Sequence, residues 1–209
     1  QRDIVGLVSP ASMGLFDRFL EALAGNAGQL LNYSNLATVV GVSVKTIQNW
    51  ISILEQSYIV FRLQPYFKNV NRRLVKSPKL YFYDTGLLCH LLKLTSPSQI
   101  RSYHDYGSLF ENLIIADAYK RTYHAGNRPL YNFFRDSNGR EIDLVLETPA
   151  TTQLWEIKAT ETFHPRLIRP FNKLTQTIFT KAEKNLVFGG TEKLSLNEVQ
   201  LLPWDNVSW

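Results

Sequence analysis

The sequence predicts a mixed α/β chain in two parts, and three observations carry that expectation. Residues 11–56 hold three stretches with apolar side chains at helical spacing, and residues 58–84 change to the two-residue period of strands. From about residue 108 a helix gives way to three short strand-like runs, a second helix and two more strands. At 209 residues and 44% hydrophobic, the chain has the length for one large or two small domains and the apolar content for a core.

The first part runs over residues 11–96 and opens with SMGLFDRFLEALAGN, where Leu15, Phe16, Phe19, Leu20 and Leu23 recur at helical spacing. Gly25 and Asn26 supply left-handed residues to end that helix. In LLNYSNLATVVGVSVKTIQNWISILEQ, Ser34 is expected to cap a short helix over 35–40 that Gly41 breaks. Ser43 then caps a second helix with Ile47, Trp50, Ile51 and Leu54 on one face. Helix, short turn, helix is the helix-turn-helix arrangement, and the strands in YIVFRLQPY and LYFYD add a hairpin. Three helices followed by a hairpin make a winged helix. Asp84, before Thr85 and Gly86, is expected to cap the helix that follows.

The second part covers residues 97–209. Ser108 and Glu111 have the spacing of a capping box and predict a helix over 109–122. Strands follow in YNFFR, in REIDLVLE after the turn DSNG, and in QLWEIKA. A helix over 166–182 must accommodate Pro170 in or before its first turn, and strands at NLVFG and EVQLLP close the order. The result is a small mixed sheet flanked by helices.

Polar residues inside two of those strands raise a chemical question. Alternate side chains share a face, so Glu156 and Lys158 point one way, and pairing through the ETPATTQ turn brings Asp143 beside Glu156. Two carboxylates together repel unless a cation sits with them. A hard divalent ion resolves the conflict, because Mg2+ is commonly held by one or two carboxylates with water and substrate phosphate completing its shell. Lys158 can then orient a metal-bound water or balance charge in a phosphoryl transition state. The plain alternative is a structural ion-pair cluster.

Asp143-x12-Glu156-x-Lys158 in a hairpin, after a helix bearing Glu111, resembles the PD-(D/E)xK nuclease superfamily, although Ile142 stands where that motif usually has proline. The resemblance implies Asp143 and Glu156 as metal ligands and Asp143, Glu156, Lys158 and Glu111 as catalytic residues. For Glu111 the capping box alone is a sufficient reason. The phrases KSPKLYFYDTGL, GSLFENLIIADAYK, GREIDLVLE and WEIKA are similar to the region that follows the ATPase module in a large group of prokaryotic AAA-type ATPases, domain of unknown function 4143. That resemblance implies a winged helix at 11–96 joined to a restriction-endonuclease-like α/β domain at 97–209, with residues 1–10 as the tail of an upstream ATPase lid. It also implies ATP binding upstream of this chain, since no GxxxxGK[ST] or GxGxxG occurs within it.

Nucleic acid is the expected partner, DNA ahead of RNA. The net charge of +5 and pI near 9.3 permit an anionic partner without demanding one. Lys45, Gln48, Asn49 and Ser52 would line the exposed face of the second helix of the pair, where Gln and Asn can read adenine edges. Between Gln56 and Tyr83 stand Arg62, Lys68, Arg72, Arg73, Lys76 and Lys79 with no acidic residue, a stretch suited to phosphate contacts in a wing. The competing expectation is a catalytically silent interaction module, with the relic of a nuclease site that no longer cuts, that assembles subunits, a homo-oligomer included, or holds a protein for the ATPase. A single basic residue on the reading helix and 26 aromatic residues favour it.

The lone Cys89 excludes an internal disulfide framework and fits a reducing cytoplasm, and the four histidines lack zinc spacing. No run approaches the roughly 18 apolar residues of a membrane helix and no basic-then-apolar pattern reads as a leader, so no membrane partner is expected. The chain opens at QRDIVGL without methionine, as a segment of a longer protein would.

Overall fold

The computed structural model describes residues 13–66, 76–175, 178–207 and 209, with the backbone alone at 172 and 173. The architecture is mixed α/β. The described residues fall into two compact units, one formed by 13–62 with 77–112 and the other by 63–66, 76 and the residues from 113 onward. No helix among the described residues is long and apolar enough to cross a membrane.

The first unit contains α1 (Met13–Ala24), α2 (Tyr33–Val40), α3 (Val44–Gln56), the start of β1 (Val60–Pro65), β2 (Lys79–Phe82), α4 (Thr85–Leu91), α5 (Pro97–Ser102) and the first part of α6 (Tyr106–His124). β1 and β2 are hydrogen-bonded neighbours. Helical spacing dictates the core: α1 turns Phe16, Phe19 and Leu23 inward, and α3 turns Ile47, Trp50, Ile51 and Leu54 inward. The Trp50 ring meets Phe16 edge-on at 5.3 Å and Phe19 tilted at 5.2 Å, so one indole ties the two helices together. Leu15 lies outside this face, at 36% exposure.

Capping fixes the helix starts. Ser43 accepts the Thr46 N–H and begins α3, and Asp84 accepts the Leu87 N–H and begins α4, as the sequence predicts. α2 differs, because Asn32 accepts the Asn35 N–H and the helix starts at Tyr33, two residues before the expected first turn. Ser34 therefore lies inside the helix, where its carbonyl accepts the Thr38 hydroxyl. Gly41 ends α2 at φ +83°, a conformation that costs a side chain dearly. After α1 the left-handed residue is Gly28 at φ +75°, whereas Gly25 and Asn26 are not left-handed. The reason is a pairing need: Gly28 donates its N–H to the Leu80 carbonyl of β2.

In the second unit the strand order is β1, β3 (Tyr131–Arg135), β4 (Glu141–Glu147), β5 (Thr152–Lys158), β6 (Glu183–Phe188), β8 (Val199–Pro203) and β7 (Leu194–Leu196), with β1 contributing its last residues. β3, β4 and β5 form an antiparallel meander, β6 and β8 run parallel to their predecessors, and β7 closes the edge antiparallel to β8. The parallel step from β5 to β6 needs a crossover, supplied by a 3-10 turn at Pro165–Ile168 and α7 (Arg169–Thr175). Pro170 sits in the first turn of α7, where its missing N–H is harmless. Phe171 and Leu174 of α7 pack on Val145, Leu154, Leu186 and Leu201 of the sheet.

The DSNG turn is built by Asp136, whose Oδ1 accepts the N–H groups of Asn138 and Arg140 while Oδ2 takes the Arg140 guanidinium at 2.7 Å. Two elements escaped the sequence pattern, the six-residue α5 and the three-residue β7, both too short to show a period.

Candidate functional site

β4 and β5 carry the candidate site. Their ladder pairs Glu147 with Thr152 and runs to Val145 with Leu154 and Leu144 with Trp155. One further step of that register sets Asp143 opposite Glu156. Val145 and Leu154 lie in the core against α7, and Asp143 and Glu156 extend the same face by two residues. Both carboxylates are buried, at 6% and 2% exposure.

Hydrogen bonds answer how such a pair survives away from water. The Ile157 N–H donates to Asp143 Oδ2 at 2.8 Å, so a side-chain carboxylate accepts a strand amide beyond the end of the ladder. The Lys158 ammonium lies 3.1 Å from the same Asp143 oxygen and 2.8 Å from Glu156 Oε2. Burial opposes the charge on Lys158, but Asp143 and Glu156 outweigh it and hold the ammonium above the ordinary lysine range. One lysine thus bridges two buried carboxylates.

The donor set fits a hard divalent ion. Two carboxylates on adjacent strands, with a positive charge already lying against both, offer the oxygen chemistry that Mg2+ takes with water or phosphate completing the shell. Lys158 stands in for that positive charge here. No group of three or more His, Cys, Asp or Glu side chains gathers among the described residues, so any such ion would rest on two protein carboxylates.

Glu111 has its own surroundings in the first unit. Its Oε1 accepts the Tyr81 hydroxyl at 2.6 Å and the Lys79 ammonium at 3.0 Å, and that lysine side chain is 5% exposed. The expected capping box does not form, because α6 begins at Tyr106 and places Ser108 within the first turn. There the Ser108 hydroxyl accepts Gln29 Nε2 instead. The neighbouring Asn112 was not anticipated: fully buried, it accepts the Phe82 N–H and donates to the Phe82 carbonyl and the Thr85 hydroxyl.

On α3, Lys45, Gln48 and Asn49 are exposed and Ser52 is half-buried, opposite the buried Ile47, Trp50, Ile51 and Leu54. Lys76 is exposed, whereas Lys68, Arg72 and Arg73 lie outside the described residues. Two of the six basic residues expected of a wing are held by acidic partners within the protein. Arg62 binds Glu55 at 2.6 Å and the Tyr33 hydroxyl at 3.2 Å, and Lys79 is the partner of Glu111. Glu111 lies 32 residues from Lys79, beyond the reach of local sequence.

Comparison with known proteins supports the resemblance to domain of unknown function 4143 over the second part of the chain. The uncharacterized proteins Mb2031c of Mycobacterium bovis and Rv2008c of Mycobacterium tuberculosis are each 27% identical to this chain over 208 residues, covering 99% of it. The chain spans 46% of the length of either relative. No solved structure matches it. Residues 1–98 match the family model described as domain of unknown function DUF8612, and residues 106–207 match the one described as domain of unknown function DUF4143.

Proposed function

We propose that this chain is the effector part of a longer AAA-type ATPase, binding nucleic acid through a winged helix and acting on phosphodiesters at a Mg2+-dependent, nuclease-like site. The observation that carries the reading is the buried Asp143–Glu156 pair on adjacent strands with Lys158 against both. Such a pair is costly to bury, and Asp143 alone, accepting the Ile157 N–H, would finish the hairpin end without a second carboxylate beside it. Asp143 and Glu156 would hold the ion. Bound there, it would supply charge neutralisation at the phosphate and a more acidic water. The Ile157 N–H fixes the Asp143 carboxylate, and Lys158 would offer the phosphate a cationic group.

The nucleic-acid part of the reading is supported by Lys45, Gln48 and Asn49 side by side on the exposed face of α3, with amide side chains that suit adenine edges in a major groove. DNA is therefore the favoured partner. Both relatives are more than twice as long as this chain, which leaves room outside the matched segment for the ATP-hydrolysing part that the resemblance implies. Work in the cytoplasm would suit the half-buried thiol of Cys89.

Cleavage of plasmid, single-stranded DNA and RNA with Mg2+ or Mn2+ tests the proposal. Wild type should cut at least one and Asp143→Ala none; equal inertness of the two proteins on all three substrates removes the catalytic claim. A second reading, a catalytically silent module that binds protein, is favoured by the ion pairs that hold Arg62 and Lys79 and by Lys45 being the one basic residue of α3. Partners retained after nuclease treatment would select it.

A further inference from the structure

The Lys158 ammonium occupies the space between the two carboxylates that a cation would need, within 3.1 Å of Asp143 Oδ2 and 2.8 Å of Glu156 Oε2. We infer that Lys158 is a resident gate on the site, excluding a divalent ion until a phosphate arrives to receive the displaced ammonium. The inference rests on the metal-site reading proposed above and adds its regulation.

The argument is one of mutual exclusion. A Mg2+ or Mn2+ ion bound to those same two oxygens would stand about 2.0–2.2 Å from each, inside the shell that the ammonium fills. Two cations cannot share that shell without repulsion in a site this poorly solvated. One of the three side chains has to move, and the structure shows which. Asp143 is pinned by the Ile157 N–H, and its side chain and that of Glu156 are 8% and 3% exposed. Lys158 is the last residue of β5, its side chain is 35% exposed, and its four-carbon stem can swing toward solvent.

Displacement carries a penalty, since the ammonium leaves two carboxylate partners. A phosphodiester entering beside the ion restores a charged partner to it. Metal and nucleic acid therefore bind cooperatively, each raising the affinity for the other by the same factor. The protein without nucleic acid stays metal-poor, and a site able to break phosphodiesters is assembled only around its substrate.

Mn2+ binding to the full chain, followed by loss of the free-ion electron paramagnetic resonance signal, reads this without any activity. Wild type is expected to bind Mn2+ at least tenfold more weakly than Lys158→Met, and Lys158→Arg, which keeps the charge, should stay as weak as wild type. Lys158→Gln provides a neutral variant that still donates to the carboxylates if the methionine protein does not fold, and it should bind as the methionine variant does. A phosphorothioate DNA duplex should raise the wild-type affinity at least tenfold and that of the neutral variants much less. Equal Mn2+ affinity in wild type and the neutral variants overturns the gate while leaving the metal site standing. Absence of binding in every folded protein, with or without the duplex, overturns the metal reading itself, and the gate falls with it.

Discussion

Asp143 accepts the backbone N–H of Ile157 at 2.8 Å, so a side chain of β4 takes up a β5 amide beyond the last pair of the β4–β5 ladder. The same oxygen also accepts Lys158, which makes Asp143 the hub of the cluster. Removing it strands a buried amide and leaves the ammonium with Glu156 alone. Asp143→Ala should therefore destabilise the chain by about 2–3 kcal/mol, while Asp143→Asn, which can still accept the Ile157 N–H, should lose about half as much. Urea unfolding midpoints of the two variants decide this. Equal losses would mean that the charge of Asp143, and not its hydrogen bond to Ile157, sustains the hairpin end.

Asn112 offers a second test, confined to the first unit. Its amide accepts the Phe82 N–H at 2.8 Å and donates to the Phe82 carbonyl at 3.0 Å, satisfying both backbone groups of one β2 residue from a helix. Asn112→Leu matches the volume but abandons both groups in a buried place, and should cost about 2–4 kcal/mol. The loss should appear as faster amide hydrogen exchange at Phe82. Unchanged exchange there would show that another group takes over.

How much of this could be read beforehand follows from the range of the interactions involved. α3 was legible because its cap, Ser43, and its buried face are set within fourteen residues of one another. The face shared by Asp143, Glu156 and Lys158 was legible for a similar reason, since a two-residue period and one turn decide it. The cation between the carboxylates was expected to be a metal, and in the structure Lys158 fills that place, because a flexible side chain can fold back onto its own strand. Glu111 misled through a true local signal. Ser108-x-x-Glu111 has capping spacing, yet Lys79 and Tyr81, some thirty residues earlier, claim the carboxylate, and the helix starts two residues ahead of that serine. The unit boundary inside α6 left no trace at all, because an unbroken helix shows no composition shift between Asn112 and Leu113.

Asp136 should impose a pH dependence. Burial would raise its pKa, but hydrogen bonds from the Arg140 side chain and from the Arg140 and Asn138 N–H groups outweigh that and hold it below the ordinary carboxylate range. A carboxyl whose folded-state pKa is depressed stabilises the fold fully above its unfolded value, about 3.9, and loses that contribution as pH falls through the folded value. Asp136→Asn should thus cost about 1–2 kcal/mol near pH 7, and the gap to wild type should close progressively below about pH 4. Thermal unfolding of both proteins over pH 2.5–7 follows the gap. A gap independent of pH would assign the effect of Asp136 to turn geometry alone.

The nucleic-acid reading makes its sharpest prediction in salt. Each lysine or arginine that neutralises a DNA phosphate contributes about −0.9 to the slope of log affinity against log salt. Arg62 and Lys79 are engaged within the protein, so they should contribute nothing, and the slope should come from Lys45, Lys76 and the residues at 68, 72 and 73. Replacing Arg72 and Arg73 together by alanine should flatten the wild-type slope by about 1.8, whereas Gln48→Ala should weaken binding with the slope unchanged. Fluorescence anisotropy of a labelled duplex between about 50 and 200 mM salt provides both slopes. A wild-type slope near zero would remove nucleic acid from the account of this chain and return α3 to the protein-binding reading.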